Sequence, residues 1–306
     1  MRIELYQPQV IYEVGQRKNQ EDAVYPAVGA VTDQNRVFIV CDGMGGHEQG
    51  EVASAAVCQS LSQKAEALLD ANRPFTDADM MAAMEAAEQA LDRADVEKAG
   101  RMGTTMTFLC VHRGGCMVAH IGDSRIYQIR PSEGIIYRSD DHSLVNSLVH
   151  NGVVSPEEGV DHPQQHVITR YMEAVDSEHY RHQATVMRTD NIQAGDYFLL
   201  CTDGVLNCVT DDQLLELLND TTTSTADKMA ALAQRCADST DNNTAWLIAI
   251  DSVDGDSASI SSKEDDADAA PDSQPTKRMT YPRKGTTDID PQPENKKSSW
   301  IKRIFS

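Results

Sequence analysis

The 306 residues suffice for one large domain or two small ones, and 40% hydrophobic with 25% charged residues is ordinary for a soluble globular chain. A formal net charge of −21 argues against non-specific nucleic-acid binding, since a phosphate backbone would repel such a surface. No apolar run approaches the roughly 20 residues that span a bilayer, and MRIELYQPQV (1–10) has no apolar signal core.

In chain order, residues 1–30 read as two short strands around a polar loop, VIYEVG (10–15) and Ala-Val-Tyr (23–25), with Glu21-Asp22 just before the second. VFIV (37–40) is a buried strand. Asp42 follows it, and Gly43, Gly45 and Gly46 predict a tight turn. A helix over about 50–70 carries Val57, Leu61, Ala65 and Leu68 on one face, and a second begins after Thr76 as N-cap with Met80, Met84, Ala87 and Leu91 in a core stripe. TTMTFLCVHRGGCMVAHIGDSRIYQIR (104–130) predicts two strands joined at Arg113-Gly114-Gly115, and a third directly after Gly122-Asp123-Ser124, in an antiparallel meander.

Residues 140–182 are polar and histidine-rich, with prolines at 156 and 163. They predict one short helix near Leu144–Val149 within an exposed flap. GDYFLLCTDGV (195–205) is a buried strand ending in Asp203. Thr210 and Gln213 form a capping box, a helix covers about 225–237, and Asp241-Asn242 precedes a closing strand, AWLIAI.

Beyond residue 250 the composition changes. Residues 251–272 hold eight acids and one lysine, and residues 273–306 hold eight bases and three acids. Such a segment lacks the apolar residues to fold and is expected to be disordered. Its end, KKSSWIKRIFS, reads as a docking peptide for a partner protein or an anionic membrane surface. The tail carries only −2 of the total charge, so the acidity belongs to the preceding domain.

The seven cysteines show no zinc spacing and sit in apolar runs, as expected for reduced, buried thiols of a cytoplasmic protein. Acids at strand ends or turns are the stronger signal: Glu21-Asp22, Asp42-Gly43, Gly122-Asp123, Asp203-Gly204 and Asp241-Asn242. An all-oxygen donor set suits Mg²⁺ or Mn²⁺. Two such ions can activate a water for in-line phosphoryl displacement, and an arginine can orient the phosphate.

RKNQEDA (17–23), DGMGGHEQGEVAS (42–54), GTT (103–105), GDSRIY (122–127), DDHSLV (140–145), ITR (168–170), CTDGV (201–205) and DNNT (241–244) together resemble the metal-dependent protein phosphatases of the 2C type, in that family's order. The resemblance covers about residues 10–250. It implies an α+β fold, a four-layer αββα sandwich, with a catalytic domain over 1–250 and a tail over 251–306. It implies a serine/threonine phosphatase using Mn²⁺ or Mg²⁺, with two ions and a looser third. Asp42, Asp203 and Asp241 would hold one ion, Asp42 with the Gly43 carbonyl the second, and Asp123 with Asp203 the third. Glu21 and Asp22 would act through waters, and Arg17 would grip the phosphate. A water bridging two ions would attack phosphorus with no phosphoenzyme.

Animal relatives carry a histidine as general acid where this chain has Met44, so His47 or a metal-bound water is left for that role. His142 is expected to stabilise a turn, His162 and His166 to lie on the surface, and Arg125 to pair with a carboxylate. Ser124 lacks the elbow of a serine nucleophile. The implied partners are a phosphoprotein substrate and a cognate kinase. The rival readings are a phosphoprotein-binding module without turnover and a scaffold tethered through its tail.

Overall fold

The computed structural model describes residues 1–45, 49–95, 102–160, 162–175 and 181–254, with the backbone alone at 160, 277 and 278. Three strands open the chain where the sequence predicts two: β1 (Arg2–Leu5), β2 (Gln9–Glu13) and β3 (Asp22–Tyr25). β4 (Val37–Met44) leads to α1 (Gln49–Leu68) and α2 (Asp77–Ala94). There Thr76 is the N-cap and forms a reciprocal capping box with Asp79. β5 (Gly103–Thr104), β6 (Met106–His112), β7 (Gly115–Ile121), β8 (Arg125–Arg130) and β9 (Gly134–Arg138) follow.

The expected flap contains α3 (Leu144–His150), α4 (Pro156–Val160) and β10 (Met172–Glu173). The chain then runs through β11 (Thr185–Thr189), β12 (Tyr197–Cys201), α5 (Asp203–Leu206), α6 (Asp211–Asn219), α7 (Thr225–Arg235), β13 (Asn243–Asp254) and β14 (Lys277–Arg278). β13 runs past residue 250, and its last residues pair with β1, Arg2 opposite Asp254. Within the tail expected to be disordered, the backbone of β14 also pairs with β11, Arg278 opposite Thr185; the remainder, with KKSSWIKRIFS, lies outside the described residues.

Two antiparallel sheets form, one ordered β1-β13-β12-β8-β9 with β2 also on β13, the other β10-β5-β4-β6-β7-β11-β14 with β3 also on β4. Strand alternation sorts their side chains into layers. On β4, Phe38 and Val40 face the seam between the sheets, where they meet Leu109, Phe198, Leu200, Trp246 and Ile248. Val37, Ile39 and Cys41 face the opposite way, against Val57 and Leu61 of α1 and Met80 and Met84 of α2. On the other sheet Leu199, Ala245 and Leu247 pack beneath Leu214 and Leu218 of α6 and Met229 and Leu232 of α7. The result is the expected four-layer αββα sandwich. Six of the seven cysteines are buried and all are free thiols.

The meander does not form. β6 and β7 pair as the predicted hairpin, but β8 leaves for the other sheet, where it pairs with β12 and β9. Val118 of β7 and Ile126 of β8 both reach the same seam core from opposite sheets. Apolar alternation specifies that each strand is half-buried, not which neighbour it joins, so the crossing is invisible in the pattern. The glycine turn also differs. Gly43 is still within β4, and the bend comes at Gly45; Gly46 and His47 lie outside the described residues.

Candidate active site

The same period-2 alternation that puts Phe38 and Val40 in the seam puts Asp42 at its end. Asp22 of β3 is the direct cross-strand partner of Asp42, so their side chains are neighbours. From the facing sheet, Thr202 follows Phe198 and Leu200 at the same spacing and donates its hydroxyl to Asp22 Oδ2 at 3.2 Å. The apolar seam therefore ends in a polar mouth. Asp203 stands two residues past the end of β12, opening α5 with Thr202 as N-cap, rather than ending the strand. Asp241 sits just before β13, and Asp123 in the crossing between β7 and β8.

These acids act on one another. Burial, then Asp22, Asp203, Asp123 and Asp241, hold the Asp42 carboxyl well above the usual carboxylate range. Burial, with Asp203 and Asp241, pushes Asp22 up to about 7. Burial, with Asp203 and Asp141, pushes Asp123 up to about 7. Asp203 is raised by burial and Asp241, and shares a hydrogen bond with Asp42. Carboxyls crowded this way favour their neutral forms unless a cation enters. Asp22 Oδ1 and Asp123 Oδ1 are buried with no hydrogen-bond partner, which is the signature of a missing donor or cation. Among the described residues no three such side chains already converge on a single point that could hold an ion. The donor set and its orphaned oxygens fit a hard cation; the side chains would have to close around it.

Backbone contacts hold the acid-bearing loops close. A Cβ on Gly43 would lie 2.1 Å from the Gly50 carbonyl oxygen and 2.6 Å from that of Glu21, so only glycine lets α1 and β3 approach here. Glu21 is tied through its backbone carbonyl, which accepts from Gly43 N–H at 3.1 Å and from the Ser54 hydroxyl at 2.6 Å. The Asp42 N–H donates to Thr105 Oγ1 at 3.0 Å, and the Asp42 carbonyl accepts from Thr105 N–H and Thr104 Oγ1, each at 2.8 Å. Thr105 Oγ1 also meets Ser124 Oγ at 2.7 Å, tying Asp42 to the Asp123 crossing.

Arg17 lies in the loop before β3, half-exposed, and donates to Asp241 Oδ2 at 2.6 Å. It stands at the cluster, engaged by one of its acids. Arg125 pairs with Asp141 through two bonds of 2.7 Å, the carboxylate partner expected for it. His142 serves the turn. Its Nδ1 accepts from Gly122 N–H at 3.2 Å, and its own N–H donates to the Gly122 carbonyl at 2.9 Å. Ser124 is fully buried, so it is no exposed nucleophile. His162 is half-buried and His166 exposed, and His166 with Asp123 and Asp203 lines a cleft of about 560 Å³ walled by α3, α4 and the turn after α5. Another cleft, of about 610 Å³, is lined by Arg2, Arg36 and His112 and contains none of the acids.

Thr104, Thr105, Thr202 and Asn242 are the site residues that the reading of charges alone passes over. Their signal was present: threonines in otherwise apolar strand runs, and asparagine beside an acid. Its meaning depends on partners far away in sequence.

The protein phosphatase 2C family profile matches residues 14–247. PhpP of Streptococcus pneumoniae, a protein phosphatase, is 31% identical over 256 residues, covering 81% of this chain and 98% of PhpP. PstP of Mycobacterium tuberculosis, a serine/threonine protein phosphatase, is 36% identical over 211 residues, 66% of this chain but only 36% of PstP. A crystal structure of PstP superposes with TM-score 0.68 at 30% identity, over 81% of this chain and all of that one. Another, of the PstP catalytic domain with two manganese ions, gives TM-score 0.64 at 30% identity, over 82% of this chain and all of that one. No described helix is long and apolar enough to cross a membrane. The chain belongs to the protein phosphatase 2C family.

Proposed function

We propose that this chain is a serine/threonine protein phosphatase that hydrolyses phosphoserine and phosphothreonine in a protein phosphorylated by a partner kinase. The observation that carries the reading is the gathering of Asp22, Asp42, Asp123, Asp203 and Asp241 at one mouth of the sandwich with Arg17 beside them. The manganese in PstP supports the choice of cation. Asp42, Asp203, Asp241 and the Gly43 carbonyl would hold two Mn²⁺ or Mg²⁺ ions, Asp123 with Asp203 a looser third, and Glu21 and Asp22 would act through waters. Bound there, such ions would supply Lewis-acid chemistry, lowering the pKa of a water and offsetting negative charge on a phosphoryl group.

The protein's own groups do the rest. Arg17 leaves Asp241 for the substrate phosphate, which offers the same oxygen fork. Asp22 and Asp42 keep the cluster's charge at the end of a dry seam, where electrostatic attraction is least screened. Ser124, buried on Thr105, is not placed to act as a nucleophile, which supports direct attack by water without a phosphoenzyme. The cleft beside Asp123 and Asp203 receives the peptide flanking the phosphorylated residue.

The test is phosphate release from a phosphothreonine peptide in EDTA, Mg²⁺ or Mn²⁺, by the wild type and by Asp203→Asn. The expected result is activity that needs the cation and collapses in the variant. Activity surviving both EDTA and the substitution would sink the reading. Bound metal without turnover would favour a phosphoprotein-binding module.

A further inference from the structure

Arg17 sits in a stretch, residues 14–21, that belongs to no strand or helix. A guanidinium can orient a phosphate only if its own backbone is held, so something else must hold this loop. Asn242 does so with its whole side chain. It is 4% exposed. Its Oδ1 accepts from Glu21 N–H at 2.8 Å, and its Nδ2 donates to the carbonyls of Val14 and Asn19, both at 2.9 Å. Both amide protons and the oxygen are thus spent on the two ends of one loop, with Arg17 between them. Oδ1 takes an N–H and Nδ2 faces two carbonyls, so the orientation of the amide is unambiguous.

The backbone of Asn242 faces the other way. Its N–H donates to Asp241 Oδ1 at 2.9 Å, on the carboxylate that Arg17 contacts through Oδ2. Its carbonyl oxygen lies where a Cβ on Gly204 would come to 1.9 Å, so Gly204, next to Asp203, is pressed against it. One residue therefore joins the Arg17 loop, Asp241 and the Asp203 turn.

From this geometry we infer that Asn242 is a positioning residue: it holds the 14–21 loop so that Arg17 meets the substrate phosphate at a set distance from the acid cluster. It touches neither substrate nor reacting atoms. This inference rests on the reading of Arg17 as the phosphate-gripping residue.

The experiment is a double-mutant cycle of Asn242→Leu and Arg17→Ala in the full chain, assayed for kcat and KM on a phosphothreonine peptide with Mn²⁺. Backbone amide exchange of residues 14–21 is followed in parallel. Leucine matches asparagine in size and removes all three bonds. The expected result is a KM raised about tenfold or more, the scale on which loss of buried hydrogen bonds acts. Exchange over 14–21 quickens while strand 245–250 is unchanged. The double variant is no worse than Arg17→Ala alone, because both act through one contact.

Fold-changes that multiply in the double variant would overturn the inference, as would unchanged exchange over 14–21 in Asn242→Leu. Should the leucine variant not fold, Asn242→Asp keeps the acceptor, loses both donors and is judged by the same criteria. Arg17→Ala with unchanged KM would refute the phosphate grip itself, and the exchange measurement would still decide whether Asn242 holds the loop.

Discussion

Removing a negative charge from the acid cluster should stabilise the metal-free protein while crippling it as an enzyme. Asp123 shows why. Its Oδ1 is buried without a partner, and burial, Asp203 and Asp141 raise its pKa from 3.8 to about 7. That rise disfavours the ionised carboxylate by about 4 kcal/mol at most. Water entry and relaxation reduce the effect, so about 2 kcal/mol is expected. The sign follows from proton linkage. The folded pKa lies above the unfolded one, so the native state holds this proton more tightly. The stability it contributes is full below about pH 4 and is lost as the pH rises through about 7.

Asp123→Asn keeps the shape and cannot ionise. In urea unfolding with EDTA at pH 8, the variant should therefore be more stable than the wild type by about 2 kcal/mol, with the gap narrowing at pH 5. Mn²⁺ should shift the balance toward the wild type, because an ion rewards the charge that burial penalises. A variant less stable than the wild type in EDTA at pH 8 would refute the reasoning, showing that the cluster has an internal counter-charge.

Other substitutions probe the frame around the cluster. Thr105→Val strands the buried Asp42 N–H and the Ser124 hydroxyl and should cost about 2–4 kcal/mol in urea unfolding; a loss under about 1 kcal/mol would show that neither bond matters. Gly204→Ala drives a methyl to 1.9 Å from a backbone oxygen that cannot swing aside, so phosphate release should drop at least about tenfold even if the chain stays folded. Lys228→Met, on the buried face of α7, removes the donor to Tyr197 Oη and the Leu218 carbonyl. It should cost about 1–3 kcal/mol of stability and leave kcat/KM unchanged, a control that separates stability from chemistry.

Much of the fold was legible because its local rules agree. The Thr76 and Thr210 caps, the Met80–Leu91 stripe and the Arg113-Gly114-Gly115 hairpin each appear where the pattern puts them. The meander through Gly122 was not, because β7 and β8 carry the same alternation whether they pair with each other or part between sheets. Gly43 misled for a related reason. A glycine needed for a turn and one needed because a neighbouring backbone comes within van der Waals range look alike in a sequence.

The same division runs through the site. The acids, Arg17 and the motif order were in the sequence, because oxygen chemistry and short spacing are local properties. The parity that places Asp42 on the same face as Phe38 and Val40 emerged only because β4 runs on to Met44, past the expected strand of 37–40. What only the tertiary structure decided is their meeting. Asp22 opposes Asp42 through strand register, Thr202 reaches Asp22 across two sheets, and Asn242 binds a loop more than 220 residues earlier in the chain. Periodicity dictates which side chains leave water, but not what they pack against. That choice belongs to the closing of one sheet on the other, and the closing is what turns scattered carboxylates into a single electrostatic cluster.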